Sequence, residues 1–284
     1  ETLYQKMRAL IIYLVISAVF IGYTPILSID ASTQSVYHFS DTDKNISLLD
    51  ISETFGTYDG SFVLYDNNLD SWKIYDLEEA TKRIPPESTY KIYDALLGLE
   101  SGIITPEHSS MTWNGDAFPF PSWEADQDLN SAMQNSVNWY FQAIDSQLGI
   151  NRVQEFLNKI EYGNQTTSSN LDLYWSDFSL KISPLEQVTL LKKFNTNEFH
   201  LNFQNVFSVK NAIKIASTPN GNFYGKTGTG RVNGQDINGW FIGYVETSDN
   251  SYYFATNIQS DSNATGKKAL EITSSILKKL HIWN

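Results

Sequence analysis

Apolar side chains recur along this chain in two rhythms, and the changes between them mark out its elements. Alternation begins at residues 61–65 and 72–75, which read as two short strands around the turn-forming residues 66–70. Ile84, Pro85 and Pro86 then interrupt regular structure, and a helical run opens near Ser88. From Leu129 the apolar positions Leu129, Met133, Val137, Tyr140, Ile144 and Leu148 recur every three or four residues, which predicts a helical stripe. A second stripe follows in Val153, Phe156, Leu157 and Ile160. Residues 185–194 predict another helix, opened by Ser183 and Pro184 in cap and first-turn order. Strand pattern returns at 223–229, 239–246 and 251–258, and a last helix over 267–280 aligns Ala269, Ile272, Ile276 and Leu280. Strands at both ends with helices between them predict an α+β fold. An antiparallel sheet is flanked by N- and C-terminal helices and carries an inserted helical region.

Residues 9–29 fit neither rhythm. They read ALIIYLVISAVFIGYTPILSI, without a charged side chain. As a helix they would extend about 31 Å, close to the roughly 30 Å of a bilayer's hydrocarbon core. Lys6 and Arg8 precede them, so the positive-inside rule places the N-terminus in the cytoplasm and the rest outside. A cleaved signal peptide is the alternative, disfavoured by the length of the run and the lack of a small-residue cleavage site. The expected organisation is a cytoplasmic stub (1–8), one transmembrane helix (9–29), a polar juxtamembrane linker (30–50) and one folded domain (51–284). An opening Glu1 in place of methionine points to a fragment of a longer polypeptide.

Composition narrows the chemistry. The net charge of −12, with Lys and Arg scattered, argues against nucleic acid as a partner. The absence of cysteine excludes disulfides, thiol catalysis and Cys-type zinc sites. The four histidines, His38, His108, His200 and His281, form no HExxH motif.

Ser88-Thr-Tyr-Lys91 is the first informative tetrad. Helical positions three apart differ by about 60° around the axis and about 4.5 Å along it, so the amine can approach the hydroxyl. A serine needs a neighbouring base, and lysine serves where burial lowers its pKa. Alone, such a tetrad reads equally well as a capped helix with an exposed lysine. Lys226-Thr-Gly-Thr-Gly230 lies in a predicted strand, where a cation, hydroxyls and glycines suit a ligand carboxylate brought close to the backbone. Ser136-Val-Asn138 lies between the two and offers a hydroxyl and an amide.

The ordered set S-x-x-K, S-x-N, K-T-G resembles the signature of the penicillin-recognising serine proteins, the serine β-lactamase and penicillin-binding-protein group. Tyr162-Gly-Asn164, followed by Tyr174-Trp175, is similar to a segment of class D β-lactamases. Residues 88–93, 127–140 and 238–245 resemble the sensor domain of BlaR/MecR-type β-lactam receptors of Gram-positive bacteria, and the likeness runs from about residue 35 onward. The resemblance implies that β-lactams acylate Ser88, with Lys91 as general base, free or N-carboxylated, and Ser136 as proton relay. It implies that Lys226, Thr227 and Thr229 bind the β-lactam carboxylate, with Gly228 and Asn138 in the ligand pocket and Trp175 shaping its base. Backbone N–H groups of Ser88 and Thr229 would form the oxyanion hole. The implied partners are β-lactam antibiotics, the membrane and a cytoplasmic zinc protease region of the same full-length polypeptide. The resemblance brings no cofactor and no metal into this chain.

Acylation is common to a receptor and to an enzyme; deacylation separates them. Class D enzymes activate water with a carboxylated lysine and carry an apolar Val where this chain has Asn138. The expectation is therefore a sensor that keeps a long-lived adduct. The alternatives are a class D-like β-lactamase, a D-Ala-D-Ala transpeptidase and a non-catalytic interaction domain. All but the last require Ser88 and Lys91 to share a pocket with the Lys226 strand.

Overall fold

The computed structural model describes residues 45–284. The expected cytoplasmic stub, the 9–29 segment and most of the 30–50 linker lie outside these residues. Among the described residues no helix is long and apolar enough to cross a membrane.

A seven-stranded sheet, in the order β1-β3-β2-β7-β6-β5-β4, forms the frame. Its members are β1 (Ile46–Leu48), β2 (Asp59–Asp66), β3 (Ser71–Tyr75), β4 (Lys214–Thr218), β5 (Gly221–Val232), β6 (Gln235–Glu246) and β7 (Ser251–Gln259). The hairpins expected from the alternation are present, and all neighbours are antiparallel except β1 and β3. β1 corrects the reading of 30–50 as linker throughout. Three residues are too few to show a period, and the strand is fixed from outside. Trp72 N–H donates to Asn45 O at 2.8 Å, and the Asn45 amide donates to the carbonyls of Leu69 and Asp70.

Period-two alternation divides the sheet between two cores. Phe62, Leu64, Phe241, Val245, Phe254 and Ile258 pack under helix α9 (Gly266–Lys279), against Ala269, Ile272, Ile276 and Leu277. Their neighbours Val63, Tyr65, Trp240, Ile242, Tyr244 and Ala255 face the other way, into the helical region. Helices α1 (Ser52–Phe55) and α2 (Leu77–Thr81) lie beside the first hairpin. The helical region contains α3 (Lys91–Glu100), α4 (Leu129–Gln134), α5 (Asn138–Leu148), α6 (Ile150–Ile160), α7 (Pro184–Asn195) and α8 (Phe203–Ala212). Ser183 and Glu186 form a capping box at the start of α7, with Pro184 in its first turn.

The stripe from Leu129 to Leu148 is two helices, not one. α4 closes in a Schellman turn, with Val137 N–H donating to Ala132 O at 2.9 Å and Ser136 N–H donating to Met133 O at 3.3 Å. Ser136 occupies the left-handed position of that turn, at φ 55°. The apolar spacing hides the break because Val137 itself remains buried.

Candidate active site

Ser88 lies in a 3-10 turn, Glu87–Tyr90, that runs into α3 at Lys91. In such a turn residues i and i+3 nearly eclipse, which brings the pair closer than an α-helix would. The Lys91 Nζ–Ser88 Oγ distance is 2.7 Å. The turn is tied on three sides. Ile84 bridges to Ile182, Glu87 N–H donates to Trp175 O at 3.0 Å, and Gln187 on α7 donates to the Thr89 hydroxyl at 2.9 Å. Ser88 stays half-buried and within reach of a ligand.

Lys91 is 1% exposed. Its amine donates to Asn138 Oδ1 at 2.7 Å, at the first residue of α5, and lies 5.6 Å from the ring centroids of both Phe141 and Trp175. Burial, reinforced by the nearby charge of Lys226, holds its pKa well below that of a free lysine. A neutral amine touching a serine hydroxyl is positioned to take its proton.

The Schellman turn aims Ser136 at the same space, where its Oγ accepts from Lys226 Nζ at 3.0 Å. Lys226 also donates to the Thr227 carbonyl at 2.9 Å, and burial lowers its pKa to about 7. β4 pairs with β5 only as far as Tyr224, so the Lys-Thr-Gly stretch presents an edge that β4 leaves unpaired. A Cβ on Gly228 would lie 3.2 Å from Ser88 N, and one on Gly230 would lie 2.4 Å from Glu87 Oε1. These two glycines let the strand lie directly on the Ser88 turn.

The structure therefore brings together Ser88, Lys91, Ser136, Asn138, Trp175, Lys226 and Gly228. Thr227 and Thr229 alternate to the other side of β5, beside the start of α9, where Thr229 Oγ1 accepts from Gly266 N–H at 2.9 Å. Thr229 is exposed at the strand edge. Trp175 is buried with Tyr174 and Tyr90 and forms a wall of the lysine pocket. Asn164 holds the loop that carries Trp175, donating to Ser179 O at 2.7 Å and accepting from Lys181 N–H at 2.9 Å.

Three acids near the site escaped the sequence reading. Glu87, directly before Ser88, is buried with its carboxyl pKa raised to about 8 by desolvation. Asp94, one turn after Lys91 on α3, and Asp145 on α5 are both fully buried and interact with each other. The Tyr174 hydroxyl donates to Asp145 Oδ2 at 3.1 Å. Desolvation and the neighbouring carboxyl raise Asp94 well above the ordinary range, and desolvation takes Asp145 to about 7. Spacing from Ser88 and Lys91 was the available signal, but exposed acids at those spacings would look the same.

A serine hydroxyl beside a buried lysine, a serine on a tight turn and a lysine-glycine strand define a penicillin-recognising fold. The sequence pattern of the penicillin binding protein transpeptidase domain matches residues 60–278, and the chain belongs to that family. Within it the chain is related to the BlaR/MecR-type receptors, with class D β-lactamases as neighbours. It is 44% identical over 283 residues to the regulatory protein BlaR1 of Bacillus licheniformis, covering 99% of this chain and 46% of that protein. The chain thus spans about half the length of that relative. The solved C-terminal domain of the Bacillus licheniformis BlaR penicillin-receptor is 46% identical, with a TM-score of 0.82, covering 84% of this chain and 98% of that one. The class D β-lactamase BAT-2 is 36% identical, with a TM-score of 0.78, covering 83% and 97%.

Proposed function

We propose that this chain is the sensing part of a β-lactam receptor, acylated at Ser88 and slow to lose the acyl group. The observation that carries the reading is the position of the Lys91 amine, 2.7 Å from both Ser88 Oγ and Asn138 Oδ1. Ser88 Oγ attacks the lactam carbonyl while its proton passes to Lys91. Backbone N–H groups of Ser88 and Thr229 receive the developing oxyanion. The lactam C–N bond then breaks, and the ring nitrogen takes the proton through Ser136, leaving an ester on Ser88. Lys226 holds the ligand carboxylate, while Thr227 and Thr229, expected to share that role, face α9 instead.

Hydrolysis of that ester needs an activated water. Burial favours the neutral form of Lys91, the form able to add carbon dioxide and become a carbamate base. The Asn138 oxygen engages the same amine and competes with that reaction, so the acyl group is stranded and one covalent event becomes a lasting signal. In the whole receptor, residues 9–29 anchor the extracellular domain, and a protease region of the same polypeptide receives the message that induces resistance genes. The similarity to BlaR1 over 99% of this chain supports this wider reading.

The likeness to class D β-lactamases favours a second reading, in which the adduct turns over. Intact mass of the chain after adding benzylpenicillin, followed over hours, decides between them. A stoichiometric adduct that persists is expected. Rapid return to the free mass identifies a β-lactamase, and no adduct removes both readings.

A further inference from the structure

Glu87 precedes the nucleophile, in the left-handed region at φ 52°, where a side chain other than glycine costs free energy. It is 6% exposed. Its Oε1 accepts from Asn238 Nδ2 at 3.3 Å, and among the described residues no group donates to its second oxygen. The Asn238 amide also donates to Pro85 O at 3.1 Å, and Asn238 Oδ1 accepts from Asn257 at 2.8 Å. Asn257 in turn accepts from Gln259 at 3.0 Å. A chain of side-chain amides across β6 and β7 thus ends on this carboxyl, beneath the stretch of β5 that lies on Ser88 N. Gly228 would place a Cβ 3.1 Å from Glu87 Cβ, and Gly230 leaves room for the carboxyl itself.

We propose that Glu87 is a positioning residue for acylation. As a neutral acid under Gly230 it holds the Ser88 amide in register with β5, and as a carboxylate it opposes the negative charge that develops on the lactam oxygen. The inference rests on the acylation reading above. An anion one peptide away from an oxyanion donor would cancel part of what that donor supplies, so burial has to keep the carboxyl protonated. With its pKa near 8, Glu87 imposes an upper pH limit on the chemical step.

The charged groups around it do not produce the same limit. Lys91 on α3 only gains neutral base as pH rises. Lys226 on β5 faces Ser136 and governs ligand binding rather than bond making. Arg231 on β5 is paired with Asp236 on β6 at 2.7 Å, Asp177 on the Trp175 loop is exposed, and Glu79 on α2 meets only the far end of the amide chain, at Gln259.

Rapid-quench mass spectrometry of the full chain with saturating benzylpenicillin, from pH 6.5 to 9.5, reads the acylation rate constant apart from binding. In the wild type it should fall above pH 8, approaching about tenfold per unit. Glu87→Ala should lower the rate at neutral pH by about tenfold or more, and Glu87→Gln should restore it and abolish the alkaline fall. A wild-type rate that stays flat to pH 9.5 overturns the inference without any variant, as does a Glu87→Gln protein that keeps the fall. No adduct at any pH would overturn the acylation reading and this inference with it.

Discussion

Two buried amines share the site, and their surroundings give them different work. Lys91 touches Ser88 and is flanked by the Phe141 and Trp175 rings, while Lys226 touches Ser136 and the Thr227 carbonyl. A cation that binds a ligand carboxylate must be charged, and Lys226 loses its proton as pH rises through about 7 in the empty site. The dissociation constant of the non-covalent penicillin complex should therefore rise above pH 7, by up to about tenfold per unit. Stopped-flow titration under pre-steady-state conditions checks this, and a constant independent of pH would remove Lys226 from carboxylate binding. Asn138 makes its own prediction. A neutral hydrogen bond contributes about 1 kcal/mol, so Asn138→Val should free the amine and shorten the adduct lifetime by about fivefold. Added bicarbonate should shorten it further in the variant. An unchanged lifetime in mass spectrometry would show that something other than Asn138 strands the acyl group.

At the scale of elements, the site depends on where helices are interrupted. α3 begins one residue after a 3-10 turn, and α5 begins two residues after a left-handed serine. The Schellman turn after α4 spends backbone free energy to aim Ser136, because glycine is the usual residue at that position. Ser136→Gly and Ser136→Ala both remove the hydroxyl and should slow acylation alike. Only alanine keeps the left-handed penalty, so the glycine variant should be more stable by about 1 kcal/mol, or about 2–4 °C in Tm. Equal melting temperatures would mean that the turn carries no strain. The same break shows what the sequence could not display. Alternation in β2, β6 and β7 placed the sheet, since one face of each strand meets α9 and the other the helical region. The ordered serine, lysine and glycine motifs marked most of the site. The α4–α5 break left the apolar period intact and stayed invisible, and β1 was too short to carry a period. The threonines of the Lys-Thr-Gly strand were legible as residues, but their turn toward α9 follows only from the strand's contact with the Ser88 turn.

Across the whole molecule, burial of ionisable groups links the site to folding. Glu87, Asp94 and Asp145 all have raised carboxyl pKa values, mainly from desolvation. Each binds its proton more tightly folded than unfolded. Its contribution to stability is fully present below the ordinary carboxylate range and is lost as pH rises through the folded value, about 7 for Asp145 and about 8 for Glu87. The lowered lysines act in the opposite sense. Lys226 adds stability only as pH rises above about 7, and Lys91, also lowered by burial, acts in the same sense. Between pH 5 and 7 the folded domain keeps the protons of Glu87 and Asp145 while Lys226 has yet to release its own, so it should lose stability as pH rises, with each net proton worth about 1.4 kcal/mol per pH unit. Among the described residues no group donates to either Asp94 oxygen, and Tyr174 donates to Asp145. Replacing Asp94 with a neutral amide removes one titrating acid from the pair. Asp94→Asn should thus flatten the decline of Tm from pH 5 to 7 and melt higher than the wild type at pH 7. Calorimetry across that range tests the argument. A wild-type Tm that rises over the interval would show that the acids are compensated inside the fold, and an unaltered slope in Asp94→Asn would place the linked proton elsewhere.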